Sequence, residues 1–146
     1  APLAGEPTAV RVTSTVAVGA ALVTGATGAR ATVVAEAPGT DLTGLVPGAG
    51  TLLLSNPGRS DTLTADVGLT PVGGETTNQQ VSIGPGQSVT VPVPEGGPVV
   101  VSVTSDAEVL AAAVSVTPEG TVVVPVGPAA VAEVQTLPAE LRPALR

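Results

Sequence analysis

From Thr51 onwards, short stretches in which aliphatic and polar residues alternate are separated by Gly- and Pro-rich breaks. Alternation with a period of two is the pattern of a half-buried β-strand. Thr62–Leu69 shows it most clearly, with Leu63, Ala65, Val67 and Leu69 on one face and Thr62, Thr64 and Asp66 on the other. Ser88–Val93 repeats it with Val89, Val91 and Val93 inward, and Thr51–Ser55, Gln79–Ile83, Val99–Val103, Glu108–Val116 and Thr121–Val126 complete a predicted set of strands. The breaks between them are turns with a stated chemistry: Asn56-Pro57-Gly58, Gly73-Gly74, Gly84-Pro85-Gly86 and Pro94–Pro98. Spacings of roughly 8–12 residues between such signals are those of an antiparallel sandwich. Pro92 and Pro125 lack an N–H, which places their strands at edges or bulges.

Upstream, Val10 with Val12 and Val16 with Val18 read as two short strands joined at Ser14-Thr15, and Ala31–Glu36 reads as a third. Laid without gaps over Val101–Ser115, the segment Val10–Thr24 matches at Val10/Val101, Val12/Val103, Thr13-Ser14/Thr104-Ser105, Val18/Val109, Ala20-Ala21/Ala111-Ala112 and Val23/Val114. A Gly-containing turn and a Val-rich strand follow both copies. The unit reads strand, Thr-Ser turn, strand, Gly turn, strand: a three-stranded meander present twice. The expected fold is therefore all-β, an immunoglobulin-like antiparallel β-sandwich with an internally repeated three-stranded meander.

Four segments follow from this reading. Residues 1–37 hold the first meander, either packed with the main sandwich or the remnant of a preceding domain. Residues 38–50, with Pro38-Gly39 and Pro47-Gly48, read as a Pro/Gly-rich linker or long crossover in which Leu42, Leu45 and Val46 tuck onto a sheet edge. Residues 51–128 form the sandwich with the second meander, and 129–146 are a C-terminal tail interrupted by Pro138 and Pro143. A single compact unit is favoured, because three strands alone bury too little to be stable.

Composition narrows the chemistry. The 146 residues include no Phe, Trp, Tyr or Met, so Val, Leu, Ile and Ala must build the core. There is no Cys, His or Lys. That removes disulfides, thiolate and Schiff-base chemistry, and Ser-His-Asp, Cys-His and Ser-Lys sites. It also removes the commonest metal ligand. Five Arg stand against 12 acids, a net charge of −7, and this acidity without aromatic stacking platforms argues against nucleic-acid partners. The longest apolar runs, at Val16–Val23 and Val109–Val114, are too short to span a bilayer, so no direct membrane insertion is expected. The lack of an initiator Met reads as a processed or cloned fragment.

Several constellations invite a functional reading. Asp106 and Glu108, two apart, project from one face and would suit a carboxylate pair, but solubilising surface charge accounts for them better. Asp61 and Asp66 bracket one strand with Glu75 past its end, yet no calcium-loop pattern is present. The Thr-Ser pairs read as turn hydroxyls bonded to backbone, since nothing is available to activate them. No catalytic, cofactor-binding or metal-binding residue is assigned, no cofactor is expected, and the chain reads as a non-enzyme.

Three motifs carry a resemblance: the Asn56-Pro57-Gly58 turn after Leu52-Leu53-Leu54-Ser55, the Pro85-Gly86-Gln87-Ser88 strand entry, and the hairpin pattern V-x-V-T-S-x-x-x-V-x-A-A from Val101 to Ala112. They resemble accessory immunoglobulin-like domains of bacterial secreted proteins. More closely, they resemble a family of uncharacterised actinobacterial secreted or envelope proteins, a domain of unknown function. The likeness covers roughly residues 10–126, and the Ala/Val/Gly/Pro-rich, all-Arg usage fits a high-GC genome. It implies an extracytoplasmic protein, secreted or envelope-associated, and carries over no catalytic residues. The expected role is structural, scaffolding or protein-interacting, with another protein or a cell-wall polymer as partner. The alternatives are a carbohydrate-binding accessory module and a surface filament or adhesin subunit.

Overall fold

In the computed structural model the described residues are 37–117 and 120–128, together with the segments 21–24 and 31–34 and residue 15. Among them run nine strands: β1 (Ala21–Thr24), β2 (Ala31–Val34), β3 (Gly39–Val46), β4 (Gly50–Ser55), β5 (Leu63–Pro71), β6 (Thr77–Ile83), β7 (Ser88–Val93), β8 (Val99–Thr117) and β9 (Gly120–Pro128). β1 and β2 pair as a two-stranded hairpin, and the other seven form one antiparallel sheet. The expected all-β, antiparallel class is what the chain adopts.

β8, 19 residues long, organises the sheet. Its first half pairs with β3 and β5, through Val99–Thr104 and Val99–Ser105 respectively. Its second half pairs with β4 through Leu110–Val114 and with β9 through Ala111–Thr117. β6 adds to β5 and β7 to β4. Two wings result, β6–β5–β8–β3 and β7–β4–β8–β9, sharing β8 and meeting again where Leu42 and Thr43 of β3 pair with Pro128 and Gly127 of β9.

The passage from one wing to the other is a bulge. Between Gly39, opposite Val109, and Asp41, opposite Thr104, β8 advances five residues while β3 advances two. The extra residues bend β8, as bulges do. Ser105 Oγ donates to Ala107 O at 2.5 Å, and the Asp106 carboxylate accepts the Thr64 amide at 2.8 Å, fixing the bulge to the start of β5. Odd-numbered side chains point inward on both sides of it: Val99, Val101 and Val103 before, Val109, Ala111 and Ala113 after, all buried. They join Leu42, Val46, Leu52, Leu54, Leu63, Val67, Ile83, Val91 and Val126 in one aliphatic cluster that draws on both wings.

Two expectations are corrected. Residues 38–50 are not a linker: Gly39–Val46 is an eight-residue strand whose Leu42 and Val46 are fully buried, paired along β8. Its alternation is hidden in the sequence because the middle inward position is Gly44, which faces Val126 and carries no apolar side chain. Thr104-Ser105 is not a turn between strands either. The expected strands Val99–Val103 and Glu108–Val116 are one strand, so the second copy is a two-stranded β8–β9 hairpin and not a three-stranded meander. The opening strands of the first copy, at Val10–Val18, the closing residues Ala35 and Glu36, and the tail 129–146 lie outside the described residues. Pro92 sits on β7, which pairs only with β4 among the described residues. Pro125 lies opposite Ala112 on β9, a strand that meets β3 only at its last two residues. Pro92 matches the expected edge placement; β9 lies between β8 and β3 in the sheet, and Pro125 stands on the stretch of it that β3 does not reach.

The end of β3 is held by close backbone packing. Ala49 adopts a positive φ of 58°, its amide donates to Pro94 O at 3.0 Å, and Gly48 lies so close to Gly97 O that no side chain fits there. This docks the β3–β4 turn on the Pro94–Pro98 loop.

Without rings in the core, each aliphatic contact matters. Leu52→Ala, at a fully buried site on β4, is expected to cost about 2–5 kcal/mol. Leu45→Ala, at a site 60% exposed on β3, is expected to change stability by no more than about 0.5 kcal/mol. Urea unfolding midpoints of the two variants check the contrast.

Candidate functional site

The most elaborate side-chain network centres on Asn56, which is only 4% exposed. β4 ends at Ser55, and the Asn-Pro-Gly sequence then reverses the chain. Asn56 Oδ1 accepts the Gly58 amide at 2.8 Å, an Asx turn of the kind Asn favours. Its Nδ2 donates twice, to Asp61 O at 2.8 Å and to Ile83 O at 2.9 Å, and its own amide donates to Gln87 O at 3.0 Å. One side chain therefore ties the β4–β5 connection to the end of β6. The facing turn is Gly84-Pro85-Gly86-Gln87, closed by Gln87 N to Gly84 O at 3.0 Å, with Pro fixing φ at its second position and Gly86 at φ 67° in its third. Ser55 and Ser88 share a hydroxyl hydrogen bond of 2.8 Å across β4 and β7.

Over this knot lies an open hollow of about 330 Å³, bordered by Ser55, Asn56, Arg59, Gln87, Ser88 and Leu110. Among the described residues Arg59 is the sole cation, against seven carboxylates: Asp41, Asp61, Asp66, Glu75, Glu95, Asp106 and Glu108. The buried polar atoms in the hollow are already paired, those of Asn56 with backbone and the Ser55 hydroxyl with Ser88, and no buried side-chain nitrogen or oxygen among the described residues lacks a partner. What the arrangement does is hold two turns together.

A second candidate is the outer face of the wing β3–β8–β5–β6. Strand register aligns its outward residues in rows. Asp41, Thr104, Asp66 and Gln80 form one row, Thr43, Ser102, Gly68 and Asn78 the next, and Leu45, Val100 and Thr70 a third. Gln80 Nε2 donates to Asp66 Oδ1 at 3.0 Å, and Thr70 and Thr76 share a 2.8 Å hydroxyl bond. Gly68 is covered, because Ser102 Oγ and Asn78 Oδ1 stand where its side chain would be. The face is shallow, uncharged at its centre, and rich in hydroxyl and amide groups.

The residues singled out in the sequence fall apart in space. Asp106 is on the β8 bulge and bonded to Thr64, and Glu108 is exposed beside it. Asp61 accepts the Ser60 hydroxyl at 2.7 Å in the β4–β5 connection, Asp66 is on the outer face of β5, and Glu75 lies past the β5–β6 turn. Among the described residues no three His, Cys, Asp or Glu side chains converge as metal ligands. Thr104 and Ser105 lie on β8, and Thr13 and Ser14 fall outside the described residues. Asn56 is the residue that sequence reasoning undervalued. Its turn was legible in Asn-Pro-Gly, but its burial depends on the distant end of β6.

No protein-family model and no curated protein matches the chain. Among solved structures, "Crystal Structure of Thermotoga maritima 1070" aligns with 60% of this chain and 91% of its own at 15% identity, with a TM-score of 0.46. A likeness of that degree supports no statement about fold family or role.

Removing the Asn56 amide strands the Gly58 N–H and leaves the Asp61 and Ile83 carbonyls without their donor. Asn56→Ala is expected to cost about 3 kcal/mol. Asn56→Asp places a carboxyl oxygen against two carbonyl oxygens in a buried site, which raises the introduced group's pKa in the folded state above its usual ~3.9. The folded chain then binds more protons than the unfolded one, so this variant's stability relative to wild type falls as pH rises through about 4 and beyond. Thermal unfolding of both variants between acid and neutral pH measures this.

Proposed function

We propose that the chain is a non-enzymatic extracytoplasmic module, an immunoglobulin-like β-sandwich that serves as a scaffold, spacer or protein-interaction unit. The observation that carries this reading is the use to which polar side chains are put. At the hollow over Asn56, the groups that could act on a ligand hold turns instead. The lack of His, Cys and Lys supports the same reading from composition.

The sandwich assignment is supported by the two wings that contribute to one aliphatic core through the shared β8. An internal repeat is supported by strand register. Ala21–Thr24 pair with Val34, Val33, Thr32 and Ala31; shifted by the same offset that aligns Val10 with Val101, these become the observed pairs Ala112–Pro125, Ala113–Val124, Val114–Val123 and Ser115–Val122. Two hairpins with matching sequence and identical register are what duplication of a structural unit produces. The secreted or envelope location rests on the resemblance of the turn motifs to actinobacterial envelope proteins.

A carbohydrate-binding accessory role is the second reading, favoured by the hydroxyl- and amide-rich rows around Gly68. It lacks the aromatic platforms that stack on sugars. Screening the full chain on a glycan array discriminates the two. The scaffold reading expects no glycan class to be retained. Retention that a Gly68→Val substitution abolishes while the fold persists would establish the carbohydrate reading instead.

A further inference from the structure

The lateral edges of the sheet are unequal. β7 carries Pro92, whose ring blocks strand addition, and β9 carries Pro125 and Pro128 and is joined at its end by β3. β6, reading Thr-Asn-Gln-Gln-Val-Ser-Ile, has no proline and no charge, and among the described residues it pairs on one side only, with β5. Thr77–Gln80 and Ser82 are exposed. Among the described residues, only the last carbonyl of the strand is occupied outside the β5 pairing, where Ile83 O accepts from Asn56. An edge strand of this length without a defence presents unpaired N–H and C=O groups to any extended chain.

We infer that β6 is an interaction edge and that its occupant is a second copy of this chain, with the two β6 strands pairing antiparallel about a two-fold axis through Gln80. This deepens the scaffold reading, on which it rests, by naming the partner.

Three features select a copy over an unrelated strand. Side-chain amides both donate and accept, so Gln80 is complementary to the partner's Gln80, as in amide ladders. The two-fold keeps each face of the sheet continuous and sets Asn78 opposite the partner's Ser82 and Gln79 opposite the partner's Val81. No charge meets a like charge within the strand pair. The chain is acidic overall, with a net charge of −7. Yet the nearest carboxylate in the row, Asp66, is bonded to Gln80 and lies three strand spacings, about 14 Å, from the partner's Asp66. That exceeds the Debye length of ~8 Å at physiological salt. Self-pairing at β6 thus avoids the repulsion that other faces of so acidic a molecule would meet.

The test is sedimentation of the full chain over a wide concentration range. The wild type is expected to approach twice its 14.0 kDa mass as concentration rises. In the variant Asn78→Glu/Ser82→Glu, each new carboxylate faces another across the axis, and the dissociation constant is expected to rise at least about tenfold. Asn78→Lys/Ser82→Lys is expected to do the same. Mixing the two variants in equal amounts is expected to restore a dimer containing one of each, an outcome that misfolded variants do not give. A single-chain mass at every concentration overturns the proposal. So does a dimer that the Glu variant leaves intact, or a mixture that stays monomeric. The scaffold reading fails separately, by glycan retention on the array, which the sedimentation result does not touch.

Discussion

Inward-pointing aliphatic side chains on β8 connect everything else in this molecule. The strand delivers Val99, Val101 and Val103 to one wing and Val109, Ala111 and Ala113 to the other, and the bulge at Ser105–Glu108 lets it do so without changing which parity faces in. A one-residue slip would turn the whole set outward. With no aromatic ring to fill volume, the core relies on the summed burial of small branched side chains. That demands close backbone approach, and the small residues supply it: Ala111 and Ala113 on β8, and Gly48 against Gly97.

Polar side chains then secure what the core cannot. Asn56 clamps the β4–β5 connection to the end of β6, Asp106 fastens the bulge to β5, and the backbone of Ala49 reaches Pro94. Each of these is a long-range tie: Asn56 joins a connection to a strand end, Asp106 joins two strands, and Ala49 joins two connections. The surface left over is made of sheet faces and edges. That distribution is what the proposed scaffold role rests on, and the unequal protection of the edges is what the proposed self-pairing rests on.

Much of this was readable in the sequence. Leu63, Ala65, Val67 and Leu69 alternate without interruption, and they are buried on β5 as alternation requires. The Gly-Pro-Gly and Asn-Pro-Gly turns announce themselves by residue type. What escaped was anything whose signal is an absence or a partner. β3 hides behind Gly39 and Gly44, which show no hydrophobicity while occupying a strand. The continuity of β8 hides behind Ser105–Glu108, whose polarity reads as a turn because a bulge and a turn both expose several consecutive residues. Asn56 reads as a turn residue because the carbonyl of Ile83 that buries it is 27 residues away. The rows on the outer wing depend on register between four strands, which no local pattern specifies.

If β8 unites the two wings, they cannot unfold independently. Native-state hydrogen exchange resolved by residue tests this most directly. The amides of Val101–Val103 and Ala111–Ala113 are predicted to exchange with one common free energy, equal to that of global unfolding. Exchange of one of these groups through a separate opening at a distinctly lower free energy, with the other still protected, would contradict the account.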